Sequence, residues 1–232
     1  MSVRFRRIAL TLAAICFAAQ ANAQGVTSRI KARLNAFDGQ TLTLQPLLPS
    51  GAPAPGDAVR VALSPQARIV QQQKSFFGAI KTGDYVGAAV SERGGRLRAQ
   101  TVYLYAEPLR GTGEGRFEDN GRLMVNGTVR EARAATQFDG TVIVHYRGAT
   151  LTGARARAVC EGRAVAPAYA SALACSADAA IEVVPGTPVS ALTLGDKDLL
   201  APGAVLTVSV TRQPDGSQAS PGIIVEMPQS PP

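Results

Sequence analysis

His145 is the only histidine in the chain, so any chemistry that needs an imidazole base would have to use it. A serine-hydrolase mechanism also requires an activated nucleophile and an orienting acid, and no Gly-x-Ser-x-Gly motif occurs. We therefore interpret His145 as a partly buried residue of a β-strand, with a catalytic base as the alternative. A single imidazole also argues against a transition-metal site, because such ligands usually occur in groups.

Paired carboxylates could support glycoside hydrolysis if two of them faced each other across a cleft. Asp38, Asp139 and Asp215 each precede a glycine, which is typical of tight turns. Glu107 and Glu114 differ, because they flank a glycine-rich segment that also contains two arginines. These two acids are the candidates for the alternative hypothesis of an envelope hydrolase with an acidic site.

The glycine-rich segment at 110–116, with the sequence RGTGEGR, could present backbone amides to an anion. It lacks the lysine and the following hydroxyl residue of a phosphate-binding loop, and its spacing is not the dinucleotide fingerprint. We interpret 110–121 as a linker or an ordered crossing. The candidate residues for anion or partner contact are Arg110, Gly111, Gly113, Gly115 and Arg116.

Residues 1–23 have the composition of a signal peptide, with three early arginines, an apolar stretch over 8–19 and a small-residue cleavage pattern at 21–23. The apolar stretch is shorter than the roughly 20 residues that span a bilayer. The sequence therefore predicts a periplasmic or secreted protein, exported in the Gram-negative manner, without a transmembrane segment in the mature chain. Removal of the three arginines lowers the formal net charge of +7 to +4.

The remaining positive charge is almost entirely arginine, distributed along predicted strands rather than gathered in a run. This distribution is typical of solvated strand faces, with a polyanion or anionic-lipid surface as the alternative. Nucleic acid is disfavoured as a partner, because single-strand sites stack bases on exposed aromatic rings. The chain has only five tyrosines, seven phenylalanines and no tryptophan.

Cys160 and Cys175 are the two cysteines that remain after removal of the leader. An even pair in an exported chain predicts a disulfide, which would contribute about 3 kcal/mol in the chain-entropy treatment. A metal site at this place would need more ligands than the sequence offers nearby. We therefore predict a disulfide between Cys160 and Cys175, and no metal or cofactor.

Two segments of the chain recur. The sequence FDG at 37–39, followed by an alternating strand, returns at 138–140, which is 101 residues later. The sequence IKTGDYV at 80–86 has a looser copy, LAPGAVL, at 200–206, which is 120 residues later. The recurrence predicts an internal duplication, and the difference between the two offsets places about 19 extra residues in the second copy.

Short alternating segments bounded by Gly, Pro and Asp predict an all-β fold, with one short helix over 71–80. We predict two tandem small OB-like β-barrels, and a single β-sandwich built from both copies is the alternative. The predicted units are a first β-domain at 24–109, the linker at 110–121, a second β-domain at 122–227 and a disordered tail at 228–232. The disulfide-stapled insertion lies within the second domain, at about 154–178.

The chain resembles a family of uncharacterised exported bacterial proteins with duplicated small β-domains. The resemblance rests on four motifs: Asp-Gly-x-Thr-Leu at 38–42, Lys-Thr-Gly-Asp-Tyr-Val at 81–86, Arg-Leu-Arg-Ala-Gln-Thr-Val-Tyr at 96–103 and the glycine-rich run at 110–115. It covers most of the mature chain, although the disulfide insertion departs from the family pattern. The resemblance implies a fold and a compartment but no activity.

These observations favour an exported, non-catalytic binding or structural module of the cell envelope, whose partner is an unknown protein or an envelope polymer. The hypothesis rests on the duplication, the arginine-bearing strands and the scarcity of catalytic residue sets in the sequence. Two alternatives stay open at this point. One is the envelope hydrolase, and the other is an accessory protein that binds a small ligand or a metal.

Overall fold

The computed structural model describes residues 27–119, 121–150, 158–160, 163–165 and 176–228. Fifteen strands and three single-turn 3₁₀ helices form this part of the chain, which contains no α-helix. The predicted all-β fold is therefore confirmed. The strands are β1 (Thr27–Phe37), β2 (Thr41–Pro46), β3 (Val59–Ser75), β4 (Tyr85–Arg93), β5 (Arg96–Tyr105), β6 (Gly115–Asp119), β7 (Arg122–Ala134), β8 (Gly140–Arg147), β9 (Ala149–Thr150), β10 (Ala158–Cys160), β11 (Arg163–Val165), β12 (Ser176–Val183), β13 (Val189–Leu194), β14 (Val205–Arg212) and β15 (Gln218–Glu226), and the 3₁₀ helices are Phe77–Ala79, Glu107–Leu109 and Lys197–Leu199.

Five strands, β1, β2, β3, β14 and β15, form a closed barrel, here called the first barrel. β1 pairs antiparallel with β2 and β14, β2 pairs with β3, and β14 pairs with β15. Parallel pairing of β15 with β3 closes the ring. Aliphatic side chains, most of them from alternate strand positions, fill its core: Ala32, Leu34, Leu42, Leu44, Val61, Ile69, Leu200, Leu206, Val208, Val210, Ile223 and Val225.

A second circuit of pairings joins β4, β5, β7, β8 and β12, here called the second barrel. β4 pairs with β5 and β7, β7 pairs with β8, and β8 pairs with β12, all antiparallel. A short parallel contact between β12 and β5 closes the circuit. This barrel has its own core, which contains Phe77, Val86, Ala88, Val102, Val125, Val129, Val142, Val144, Ile181 and Val183 among others.

The two barrels are joined by β13, which pairs antiparallel with β3 and parallel with β5. The β3–β13 pairing, here called the central ladder, runs from Ser75 opposite Val189 to Val70 opposite Leu194. At its middle Gln72 lies opposite Leu192. Leu192 is also the residue that corresponds to Gln72 when the sequence is shifted by 120 residues. The ladder is therefore symmetric about this pair, which marks an approximate twofold relation between the barrels.

The hairpins of the two barrels share one register. Leu34 lies opposite Leu44 in the β1–β2 hairpin, and Val129 lies opposite Val144 in the β7–β8 hairpin. In each hairpin the next position towards the turn contains a β-bulge. Because bulges reset the register, a bulge at the same place means that the two hairpins direct the same positions inward.

The turns that lead into β14 and β4 also match. Leu34 exchanges two main-chain hydrogen bonds with the turn at 203–204, at 2.7 and 2.8 Å. Val129 exchanges the same two bonds with the turn at 83–84, each at 2.8 Å. These turns belong to the segments that recur in the sequence at an offset of 120 residues, so the recurrence marks equivalent places in the two barrels.

The tandem order of the predicted domains is not confirmed, because strands from both sides of the segment 110–121 contribute to each barrel. The first barrel takes three strands from the N-terminal side and two from the C-terminal side. The second barrel takes two from the N-terminal side and three from the C-terminal side. The helix predicted over 71–80 is wrong, since β3 continues to Ser75 and only Phe77–Ala79 makes a 3₁₀ turn.

Some predictions fall outside the described residues. These are the signal peptide at 1–23, the tail after Pro228 and Cys175. For Cys160 only the backbone is described, at the end of the β10–β11 hairpin, so the predicted disulfide also lies outside. Among the described residues no helix is long and apolar enough to cross a membrane.

Candidate binding groove

The predicted contact residue Arg110 lies beside β4 and β7, with its guanidinium engaged by the chain itself. Its Nε donates to both carboxylate oxygens of Glu107, at 2.7 and 2.9 Å, and its Nη2 donates to the carbonyl of Gly83 at 2.8 Å. The guanidinium also lies 5.9 Å from the centre of the Tyr85 ring. The ion pair lowers the pKa of Glu107 below its usual range. Arg110 therefore ties the glycine-rich segment to the second barrel.

The three glycines of the segment allow it to turn tightly. Gly111, Gly113 and Gly115 all have positive φ angles, which side chains other than glycine rarely adopt. A Cβ on Gly115 would also lie 2.8 Å from the carbonyl oxygen of Gly148. The amides of residues 112 and 114 donate to carbonyls within the segment, at 3.2 and 3.4 Å. These two amides therefore hold the turn together.

The other predicted arginine, Arg116, lies on β6 and donates from Nη2 to a carboxylate oxygen of Glu92 at 2.7 Å. The structure thus brings the five predicted contact residues together on one side of the second barrel. Both arginines are paired with acids there. This arrangement indicates a structural clasp more directly than an anion cradle.

The chain that leaves β5 covers one side of the central ladder. The amide of Ala106 donates to the carbonyl of Leu192 at 2.8 Å, and Leu109 is only 2% exposed. The carbonyl of Thr112 accepts from the hydroxyl of Tyr85 at 3.3 Å and from Nδ2 of Asn126 at 3.4 Å. Residues 106–112, here called the covering segment, therefore close this side with one buried leucine and several polar contacts.

The other side of the ladder has an open groove of about 630 Å³. Phe76 and Phe138, which are 45% and 55% exposed, lie together in its wall, and Met227 lines the same wall. We call it the Phe76 groove. Exposed aromatic residues at the junction of two folded units are typical of binding sites, because they offer a large apolar area that water solvates poorly.

Local packing explains why both rings line the groove. Phe77 enters the core of the second barrel against Gly140, where a Cβ would lie only 2.7 Å from the ring. The amide of Gly78 donates to the carbonyl of Gln137 at 2.9 Å, which fixes the 3₁₀ turn against the β7–β8 turn. With Phe77 directed inward, the preceding Phe76 faces solvent next to Phe138.

The groove carries a net positive charge. Lys31 pairs with Glu226 at 2.7 Å on its floor. Lys74 lies in the wall, is exposed, and shows no ion pair within the residues that the structure describes. An occupant would therefore meet an apolar wall and one ammonium group free to bind a carboxylate.

His145 lies partly exposed on the outer face of the second barrel. Its Nδ1 lies 2.7 Å from a carboxylate oxygen of Asp178 and 3.0 Å from Nη2 of Arg130. The position equivalent to Leu44 is Val144, so the recurrence in the sequence is displaced by one residue at this strand. At an offset of 101 residues the recurrence equates His145 with the buried Leu44, and the displacement explains why His145 is instead partly exposed.

The candidate acids are each paired with an arginine. Glu114 accepts from Nε and Nη2 of Arg147, at 3.0 and 2.8 Å, as Glu107 does from Arg110. Within the described part of the chain, no group of three or more His, Cys, Asp or Glu side chains could hold a metal ion.

Sequence reasoning missed Phe76, Phe138 and Met227 as candidate site residues. A signal was available, since Phe138 opens the repeated FDG motif and Phe76 belongs to a Phe-Phe pair in a chain with few aromatic residues. The neighbourhood of these residues depends on the length of β3, which the sequence did not reveal. Comparison with known proteins found no matching family model, curated protein or solved structure.

Proposed function

We propose that this protein is an exported, non-catalytic binding module of the cell envelope that holds a partner protein in the Phe76 groove. The observation that carries the proposal is the exposure of both Phe76 and Phe138 in the lining of one groove. Four large hydrophobic side chains are exposed among the described residues, and two of them line this groove. An exposed aromatic pair costs solubility, and a partner that covers it supplies the reason for its presence.

The proposal includes the compartment and the origin of the fold. Residues 1–23 act as a signal peptide, and the mature chain is periplasmic or secreted, where Cys160 and Cys175 form a disulfide. The two barrels are OB-like copies of one unit, which the matched registers of their hairpins support. The resemblance to exported proteins with duplicated β-domains belongs to the same proposal.

A protein partner is favoured over an envelope polymer by the chemistry of the groove. A polyanionic polymer would be held by a row of unpaired arginines. In the glycine-rich region, where such a site was predicted, Arg110, Arg116 and the neighbouring Arg147 are each paired with a carboxylate of the chain. The Phe76 groove offers an apolar wall and the free ammonium group of Lys74, a combination that suits the side chains of a polypeptide.

Selection from a displayed library of random peptides, against the mature protein, tests the proposal. We expect enriched peptides that lose at least about tenfold in affinity for the Phe76→Ala/Phe138→Ala variant. The matched control is Leu48→Ala/Leu194→Ala, which removes two equally exposed apolar side chains outside the groove. Affinity for the control should be unchanged. Enriched peptides that bind all three proteins equally, or no enrichment at all, would contradict the proposal.

A further inference from the structure

We infer that the Phe76 groove binds a short peptide segment of a partner protein that makes a single turn and carries a leucine-sized residue next to an acidic one. This inference rests on the proposed function and narrows it to one class of ligand. It follows from the approximate twofold relation between the barrels. The chain itself occupies the equivalent place on the other side of the central ladder.

The same hydrogen bond occurs on both sides of the ladder. The amide of Met227, just after β15, donates to the carbonyl of Gln72 at 2.9 Å. The amide of Ala106, just after β5, donates to the carbonyl of Leu192 at 2.8 Å. Because Gln72 and Leu192 are the central pair, the chain leaves both strands in the same way over the same ladder.

The two sides differ in what comes next. After Ala106 the covering segment turns through Glu107–Leu109 and buries the Leu109 side chain. After Met227 the sequence at the matching positions is Pro228, Gln229 and Ser230, with serine where the other side has leucine. The apolar anchor that closes one side thus has no counterpart in this sequence on the other side, where Phe76 and Phe138 lie exposed.

The residues in the wall of the groove indicate how its ligand differs from the covering segment. Lys31 of β1 lies opposite Thr207 of β14, and Asn126 of β7 lies opposite Gly87 of β4. Thr207 and Gly87 are related by the offset of 120 residues, so Lys31 holds in the first barrel the position that Asn126 holds in the second. Asn126 donates to a carbonyl of the covering segment. Lys31 is paired with Glu226, so the ammonium of Lys74, unpaired among the described residues, is the group that favours a carboxylate of the occupant.

Phe76 supplies the second difference. At the offset of 120 residues its counterpart is Asp196, which caps the 3₁₀ turn at 197–199 by accepting from the amide of Asp198 at 3.0 Å. A phenylalanine at this place turns a polar cap into an apolar wall. The ligand therefore combines an apolar side chain against the two rings with an acidic side chain towards Lys74.

Fluorescence anisotropy with a labelled synthetic peptide tests the inference on the full mature chain. The probe AEPLEGT copies residues 106–112 with glutamate in place of arginine, and the control AEPSEGT replaces its leucine with serine. We expect the probe to bind with a dissociation constant of about 0.1 mM. We expect a loss of at least about tenfold for the serine control and for Phe76→Ala/Phe138→Ala, and of about threefold for Lys74→Ala.

Equal binding of the two probes, or binding that survives Phe76→Ala/Phe138→Ala, would overturn the inference. If a variant that ends at Pro228 bound the probe at least about tenfold more tightly, the chain's own tail would be the occupant and the inference would also fall. Failure here is distinguishable from failure of the proposed function. Library peptides whose binding requires Phe76 and Phe138 but whose sequences lack the leucine and the acid would contradict only the inference.

Discussion

The two barrels share their strand order and register, yet the two sides of the central ladder between them carry different surfaces. On one side the covering segment buries Leu109 and uses Arg110 as a clasp. On the other side Phe76 and Phe138 remain exposed over a groove. A shared backbone register therefore determines where a site can form. The residues in the turns then decide whether the chain fills that site or leaves it for a ligand.

Substitution of Gly127 should reveal the largest difference in free energy of unfolding between equivalent positions of the two barrels. A Cβ at this position would lie far inside the van der Waals contact distance to the His145 carbonyl oxygen, whereas the equivalent Ala32 of the first barrel accommodates its methyl group and is fully buried. We expect Gly127→Ala to lower the free energy of unfolding by about 3 kcal/mol, because a backbone carbonyl cannot move away cheaply. Urea unfolding of the purified protein measures it.

The reverse change in the first barrel is the control. Ala32→Gly should cost only about 1 kcal/mol, from lost burial and added backbone freedom. Equal costs for Gly127→Ala and Ala32→Gly would show that the two barrels do not differ at this position as the packing indicates.

The two sides of the ladder should also differ in stability when their apolar residues are truncated. Leu109→Ala removes a fully buried side chain, and we expect it to cost about 2–4 kcal/mol. Met227→Ala, at the edge of the Phe76 groove, should cost less than about 1 kcal/mol, because Met227 is only partly buried. Thermal unfolding of both variants checks the comparison. A cost for Met227→Ala that equals that of Leu109→Ala would indicate that the groove is as closed as the covered side.

Alkaline titration provides a smaller effect that is confined to the second barrel. The four tyrosines within the described residues all lie in strands of that barrel. Burial raises the pKa of Tyr105 from 10.0 to about 12, and burial together with the nearby charge of Glu114 raises the pKa of Tyr85 further. A raised pKa means that the folded state retains the proton. The associated stability is present below pH 10 and is lost as the pH rises towards 12.

Tyrosinate absorbance and urea unfolding, followed from pH 9 to pH 12 as a rough working range, test this prediction. In Tyr105→Phe the decline in stability over this range should be smaller than in the wild type, since one ionising group is gone. If Tyr105→Phe leaves the decline unchanged, burial of Tyr105 is not its source.

Parts of the fold could be predicted because they depend on local residue types. Asp38 accepts hydrogen bonds from the amides of Gln40 and Thr41, at 2.9 and 2.6 Å, and closes the β1–β2 turn as its sequence indicates. The turns before β4 and β14, which recur in the sequence, make matching main-chain hydrogen bonds with Val129 and Leu34. These features need only a few consecutive residues, and sequence patterns report such residues directly.

The pairing of the strands into these two barrels could not be predicted, because hairpins with matching registers offer equivalent edges to the remaining strands. Nothing in β14 or β15 specifies that they close a ring with β1 and β3 rather than with their nearer neighbours. The length of β3 decides it, since the strand continues to Ser75 and joins both barrels through β13. The Phe76 groove depends on the same strand, so the sequence alone could not bring Phe76 and Phe138 together.

Because the N-terminal end of the chain is synthesised first, the nested strand order decides which barrel can be completed first. The second barrel has all its strands once Val183 has appeared. The first barrel waits for Glu226, although its strands β1 to β3 emerge first. During this delay the apolar faces of those three strands have no partner in their own barrel. An assisting chaperone or a protease would therefore meet the N-terminal strands first, beside a second barrel whose strands are complete.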